Sequence, residues 1–189
     1  MDSKITIREA TSEDYKLIAE VVCMAVGHDT SHPIYPVFEE LAQRDHSQYS
    51  WHNTLIAEVG GNAAGAIVGY DGAMLETLRE PIYPLLEKHL GEVLPIEDET
   101  EAGEFYLDSL GTLPEYRGRG IGAALIRAMS HRAFEEGHRR VGLIVDYDNP
   151  RAEKLYTSLG FQRVGHKKFL GHDMHHLQLT TTTICTTCN

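Results

Sequence analysis

The chain has 189 residues, 42% of them hydrophobic, which suits one folded domain with a sizeable core. Its 17 basic and 28 acidic side chains leave a formal net charge of −11, so nucleic acid and anionic membrane surfaces repel it unless a basic patch intervenes, and no basic block is present. No apolar run approaches the roughly 20 residues that span a bilayer, Met1 to Ile7 lacks a leader pattern, and three cysteines make no disulfide framework; the expected location is cytoplasmic.

Ile5 and Ile7 alternate with polar neighbours and predict a first strand. Thr11-Ser12-Glu13-Asp14 then offers a helix cap with carboxylates in the first turn. Tyr15, Ile18, Ala19, Val22 and Val26 recur at helical spacing, and Gly27 is placed to end the helix. A second helix is expected from Pro36 to Gln43. Asn53 to Val59 and Ala63 to Tyr70 predict two strands joined by the Gly60-Gly61-Asn62 turn, a hairpin.

From Asp71 to Gly103 the pattern loosens. Leu75, Leu78, Leu85, Leu86 and Leu90 predict helix, Pro81 and Pro84 interrupt it, and the acidic end from Glu97 to Glu104 is expected as an exposed loop. The stretch is an expected helical insertion between strands. Phe105 to Thr112 predicts a central strand, followed by a glycine-rich turn and a helix from Ile121 to about Glu136. Val141 to Val145 is expected as a buried strand, Pro150 to Leu159 as a short helix, and Phe161 to Val164 and His175 to Thr180 as the last strands. A hairpin followed by alternating strands and helices predicts an α/β (α+β) domain with a mixed sheet over residues 1–180. Residues 181–189 form an expected flexible tail. Its Cys185 and Cys188 make a C-x-x-C pair without the strand–helix context of a redox motif or two further zinc ligands, so they are expected as reduced thiols.

The most informative stretch runs from Pro114 to Leu125. Gly118, Gly120 and Gly122 stand at alternate positions where a strand turns into an apolar helix, with Arg117 and Arg119 beside them. Glycines remove the Cβ atoms that block close backbone approach. Successive N–H groups and the helix dipole then favour an anion, and the arginines add full charges. The assembly suits a diphosphate. Gly118, Gly120 and Ala123 formally satisfy a dinucleotide fingerprint, but Pro114 to Arg117 intervene between strand and first glycine, and the expected βαβαβ half is missing. No Lys-Ser/Thr follows the last glycine, which excludes a nucleotide-triphosphate loop. The plainer alternative is a tight turn that binds nothing.

Arg117-Gly118-Arg119-Gly120-Ile121-Gly122, preceded by Leu110-Gly111-Thr112-Leu113-Pro114, resembles the acetyl-CoA motif of the GCN5-related N-acetyltransferase (GNAT) superfamily. A second block, Asn149-Pro150-Arg151-Ala152-Glu153-Lys154-Leu155-Tyr156 followed by Leu159-Gly160-Phe161, is similar to the family's asparagine-to-tyrosine helix and the strand after it. The resemblance extends more loosely to the first strand, the first helix and the hairpin. It does not cover 71–103 or the tail.

The resemblance implies a mostly antiparallel sheet whose central strand splays from its neighbour, flanked by helices, with pantetheine in the gap. The main chain of Leu110, Gly111 and Thr112 would hold the acetyl and pantetheine end. Arg117, Gly118, Arg119, Gly120, Ile121 and Gly122 would hold the pyrophosphate. Gly111 stands where family members often carry a larger residue. Asn149 would bind pantetheine and cap its helix, a role that Pro150 supports independently. Tyr156 would reach the thioester sulfur; read without the motif, it is a packed aromatic beside Leu155 and Leu159. The implied activity is transfer of an acetyl group from acetyl-CoA, without a metal, to a primary amine of a small molecule or peptide, directly and through a tetrahedral intermediate.

In such a reaction the amine must lose a proton and the leaving sulfur benefits from gaining one. A tyrosine, with an ordinary pKa near 10, holds its proton at neutral pH and suits the acid. For the base, strand alternation places Glu104, Tyr106, Asp108 and Leu110 on one face, and Asp108, nearest the reacting end, is chosen ahead of Glu104. A carboxylate that only orients substrate is the equal alternative. His172, His175 and His176 lack the partners of a metal set. His28, Asp29 and Tyr35 follow the first helix, where the family's acceptor pocket forms. The net charge and the acidic approach from Glu97 to Glu104 favour a small amine or a cationic peptide end as the acceptor. A CoA-binding sensor without turnover and a redox-regulated interaction protein using Cys185 and Cys188 are the other functions weighed. A homodimer is left open.

Overall fold

The first strand, β1 (Ile5–Glu9), is fixed by Ile5 and Ile7, which point into the apolar layer shared with β2 (Thr54–Val59) and β3 (Asn62–Asp71). A computed structural model describes residues 4–93 and 95–181. Thr11 and Asp14 form a reciprocal capping box at the turn into α1 (Tyr15–Ala25). The second helix is α2 (Tyr35–Ala42), with Pro36 in its first turn, where a missing N–H costs nothing. The hairpin between β2 and β3 turns at Gly60 and Gly61, both at positive φ.

Between β3 and the central strand β4 (Phe105–Thr112) lie two helices, α3 (Leu75–Arg79) and α4 (Ile82–Leu90). Pro84 is within the first turn of α4 and does not break it, and Pro81 stands at its cap, so the two prolines begin this helix. After β4 come α5 (Ile121–Glu135), β5 (Arg140–Asp146), α6 (Pro150–Ser158) and the hairpin of β6 (Gln162–Phe169) and β7 (His172–Thr180). These last two strands are longer than the sequence predicts, because their residues pair along their whole length although β6 is largely exposed. Cys185 and Cys188 lie outside the described residues.

The seven strands form one sheet in the order β1-β2-β3-β4-β5-β7-β6. Every neighbouring pair is antiparallel except β4 and β5. One face carries α5 and α6 over Leu55, Ile67, Phe105, Leu107, Leu143 and Leu177. The other carries α1, α2 and α4 over Ile56, Ala66 and Val68.

The join between β4 and β5 decides the shape of the molecule. Only Phe105 with Val141 and Tyr106 with Gly142 pair, after which the two strands diverge. The closed end is pinned by the buried carboxylate of Glu104, whose Oε2 lies 2.9 Å from His176 Nε2 and 2.6 Å from Gln178 Nε2, both on β7. The carboxylate reaches them across Gly142, where a Cβ would come within 2.0 Å of Glu104 Oε2, so a glycine there makes the clamp sterically possible.

Candidate active site

A β-bulge re-aims the middle of β4. Val68 pairs with Ser109 and Gly69 with Leu107, leaving Asp108 as the extra residue. Phe105 and Leu107 therefore face α5, Tyr106, Asp108 and Ser109 face the opposite side, and alternation resumes one residue out of step. Leu110 consequently packs with the α5 side, which corrects the expectation that it shares a face with Asp108. Simple alternation cannot anticipate an inserted residue.

Gly111 lies on the α1 side. A Cβ there would meet Met24 Cε at 3.0 Å and Val21 Cγ1 at 3.1 Å, so the glycine lets α1 approach the central strand closely. Thr112 pairs with Gly65, and its carbonyl accepts from Arg117 Nε at 3.2 Å. Leu110, Gly111 and Thr112 run beyond the last β4–β5 pair, so among the described residues their β5-facing edge meets no strand.

The glycine-rich turn follows. Gly118 and Gly120 stand at φ +77° and +81°, a conformation that L side chains rarely adopt. A Cβ on either would meet nothing within 4 Å, so the fold needs them for backbone conformation, not for room. Gly122 lies inside α5, with Leu155 and Leu110 at ordinary contact distance from where its Cβ would be. Gly120 is the N-cap residue of α5 and supplies no side-chain cap, and the first helical bond runs from Ala124 N–H to its carbonyl. The amides of Ile121, Gly122 and Ala123 are thus left for another acceptor. Arg119 folds back on the Glu115 carbonyl at 3.4 Å and over the Tyr116 ring. Uncapped amides, left-handed glycines and two exposed arginines together suit a diphosphate.

Across the gap, α6 begins at Asn149, whose side chain accepts from the Ala152 amide at 3.1 Å with Pro150 at the first helical position. The helix leans on the α5-side core through Ala152, Leu155 and Tyr156. Tyr156 is half-buried, edge-on to Phe161, and burial pushes its hydroxyl up to about 12. The hydroxyl makes no hydrogen bond among the described residues, and it holds its proton throughout the neutral range.

On the opposite face Asp108 ends a buried polar cluster that sequence patterns do not reveal. Its Oδ2 accepts from Tyr70 Oη at 2.7 Å, and its Oδ1 accepts from Ser109 Oγ at 2.8 Å. Gln48 Nε2 lies 3.0 Å from Glu99 Oε1 and 3.5 Å from Asp108 Oδ2. Glu99 is itself bound by Arg79, which also reaches Asp98 at 2.7 Å. Burial pushes the Asp108 carboxyl up, against the pull of Tyr70, Ser109 and Arg79. Burial and the charge of Asp108 push Glu99 up to about 7, in spite of Arg79. Gln48, Tyr70 and Glu99 are buried, whereas Asp108 is only partly so.

The segment from Glu97 to Glu104 is therefore only in part the exposed acidic loop expected from its composition. Glu99, Thr100 and Glu104 are buried, and Glu97 accepts from the Leu170 amide at 3.0 Å. Each buried carboxylate has found cationic or N–H partners from distant elements, which no local pattern announces. Glu104, the other candidate base, is spent on the β7 clamp. Burial pushes it up, but the bonds from His176, Gln178 and Thr100 hold it below its usual range.

The histidines separate. His176 is buried on Glu104, His172 meets Asp146 at 2.8 Å, and His175 stacks on Tyr147. No group of side chains among the described residues could hold a metal ion, and no described helix is long and apolar enough to cross a membrane. After α1, His28 stacks on His32, and Asp29 accepts from the Ser31 amide and hydroxyl, shaping the turn into α2. Tyr35 Oη lies 3.5 Å from the Lys16 carbonyl, beside that turn.

Residues 18–161 match the model of the acetyltransferase (GNAT) family. The chain belongs to the GNAT family. It is 32% identical over 161 residues to the N-alpha-acetyltransferase RimI of Mycobacterium tuberculosis, covering 85% of this chain and 80% of that one. It is 29% identical over 153 residues to the mycothiol acetyltransferase of Rhodococcus jostii, covering 77% of this chain and half of that longer protein. A crystal structure of an acetyltransferase superposes with a TM-score of 0.78 at 33% identity, covering 93% of this chain and 98% of the other. The splayed, mostly antiparallel sheet flanked by helices is the GNAT fold. The chain is an acyltransferase that draws its acetyl group from acetyl-CoA.

Proposed function

We propose that this GNAT enzyme transfers the acetyl group of acetyl-CoA directly to a primary amine of a small molecule or peptide, with Asp108 as base and Tyr156 as acid. The observation that carries the reading is the opening of the sheet beyond Tyr106, with Asp108 on the α1 side and Tyr156 on the α5–α6 side. A thioester lying in that opening is reached by an amine from one face and by a phenol from the other. The amides at the start of α5, with Arg117, Gly118, Arg119, Gly120, Ile121 and Gly122, hold the pyrophosphate. The free edge of Leu110, Gly111 and Thr112 pairs with the pantetheine amides, and Asn149 holds the pantetheine from the other side. The RimI relative, named as an N-alpha-acetyltransferase, supports nitrogen as the acceptor atom.

The proton balance follows from these placements. An acceptor ammonium gives one proton to Asp108, and its freed electron pair forms the N–C bond. The C–S bond breaks with its electron pair on sulfur, which takes the Tyr156 proton. The phenolate then recovers a proton from the acylated nitrogen, and Asp108 returns its own to solvent. The half-buried carboxylate and the negative charge of the Asp108 cluster favour a cationic acceptor.

Tyr156→Phe tests this directly, because it keeps the ring against Phe161 and removes the proton donor. In a single-turnover assay with saturating acetyl-CoA and a working amine, the chemical step is expected to slow about 100-fold, with acetyl-CoA affinity little changed. A wild-type rate would reduce Tyr156 to a packing residue.

A further inference from the structure

Two carboxylates on separate elements share the same two bridging side chains. Gln48 Nε2 and Tyr70 Oη each lie between Glu99 Oε1 and Asp108 Oδ2, with Tyr70 Oη 3.4 Å from the first and 2.7 Å from the second. Only Asp108 of this group is partly open to solvent, and Glu99, at 3% exposure, sits behind it against Arg79. Like charges held this close in a dry site raise one another's affinity for a proton.

We propose that Glu99 and Asp108 work as a single carboxyl pair, in which Asp108 meets the acceptor amine and Glu99 is the positioning residue that makes it a sufficient base at neutral pH, with Gln48 and Tyr70 bridging the two. This rests on the reading of Asp108 as the base. A solitary aspartate, with an ordinary pKa near 3.9, is poorly matched to an ammonium at neutral pH. In the doubly ionised pair, a proton transferred from the ammonium nitrogen to Asp108 also relieves the repulsion from Glu99. The N–H electron pair stays on nitrogen, and the pair keeps one negative charge. Glu99 in turn touches no substrate, because it is enclosed behind Asp108.

The surrounding charges fit this division. Arg79 of α3 faces Glu99 and offsets part of the push from burial and Asp108, while Asp98, from the segment after α4, and Tyr83 of α4 act on Arg79 in turn. Tyr49, Tyr70 and Tyr106 enclose the pair from the segment before β2, from β3 and from β4. Burial beside the two carboxylates raises all three hydroxyls well above their ordinary range, so none competes as a second anion.

The test is the pH dependence of kcat/KM for a working amine acceptor, measured with saturating acetyl-CoA on wild type, Glu99→Gln, Tyr70→Phe and Asp108→Asn. Glu99→Gln removes the neighbouring charge and is expected to move the acid limb down by about one pH unit or more. It should also lower the plateau and leave the KM for acetyl-CoA unchanged. Tyr70→Phe removes a donor to the ionised Asp108 and is expected to move the same limb upward, so the two variants diverge. Were Glu99→Gln to misfold, the carboxyl carbon shifts of wild type followed by NMR against pH would decide the matter, with two linked steps felt at both carboxyls expected for a pair and independent single steps overturning it. An acid limb in Glu99→Gln that overlays wild type, with Asp108→Asn inactive, would overturn the pair and leave Asp108 as a base acting alone. Full activity in Asp108→Asn would overturn the base assignment itself.

Discussion

At Gly120 the backbone stands at φ +81°, one residue before α5 begins. Forcing an L residue into the left-handed region costs roughly 1–2 kcal/mol, and β-branching makes it worse. Space is not the obstacle, since a Cβ at Gly120 would project into the open. Gly120→Val is therefore expected to fold with slightly lower stability and to lose acetyl-CoA binding, because its side chain stands where a diphosphate would meet the amides. Isothermal titration of the folded variant checks this, and an unchanged affinity would remove the pyrophosphate assignment. Glycines of another kind escape any sequence reading. Gly111 and Gly142 are required by Val21 and Met24 of α1 and by the Glu104 carboxylate, each far away in the chain.

Helix α6 has no fully buried side chain and rests on the core through three partly buried ones, so its ends matter more than usual. Its start is held by the Asn149 cap and Pro150, both evident in the sequence because capping is a local interaction. Asn149→Ala is expected to cost about 1 kcal/mol and to fray the helix that presents Tyr156. Amide exchange in the first turn of α6 should rise, and turnover should fall to between wild type and Tyr156→Phe. Asn149→Asp keeps the cap and should retain the helix. Equal exchange rates in Asn149→Ala and wild type would show that the cap is dispensable. The insertion carrying α3 and α4 behaves differently from its looks. Its prolines start a helix, and its acidic end supplies Glu99 and Glu104 to the interior.

The molecule as a whole is two stretches of antiparallel sheet meeting at a short parallel join. β1 to β4 make one and β5 to β7 the other, tied by the residue pairs of Phe105 and Tyr106, the Glu104 clamp and the core beneath α5. A ligand held between β4 and α6 bridges both stretches and binds only the folded chain. Acetyl-CoA at 100 times its dissociation constant should therefore add about 2.7 kcal/mol to the stability. For a chain of this size that raises Tm by roughly 5–10 °C. Scanning calorimetry with and without acetyl-CoA checks it, with Gly120→Val as the control expected to show no shift.

Much of this was legible in the chain itself. The hairpin, the caps of α1 and α6 and the glycine turn all depend on contacts within a few residues, and local chemistry writes such contacts into local sequence. The site at Asp108 was legible only as a strand residue of the right type. Its face, its burial and its partners came from a bulge against Val68 and Gly69, from Gln48 before β2, from Tyr70 on β3 and from Glu99 in a run that composition alone makes look solvent-exposed. Those groups are separated by up to 60 residues, and they meet because burying one carboxylate demands hydrogen-bond and charge partners that the sheet brings in from elsewhere. The sequence determined the turn and helices that suit an acyl-CoA; the tertiary structure alone decided which carboxylates gather on the α1 side of the central strand.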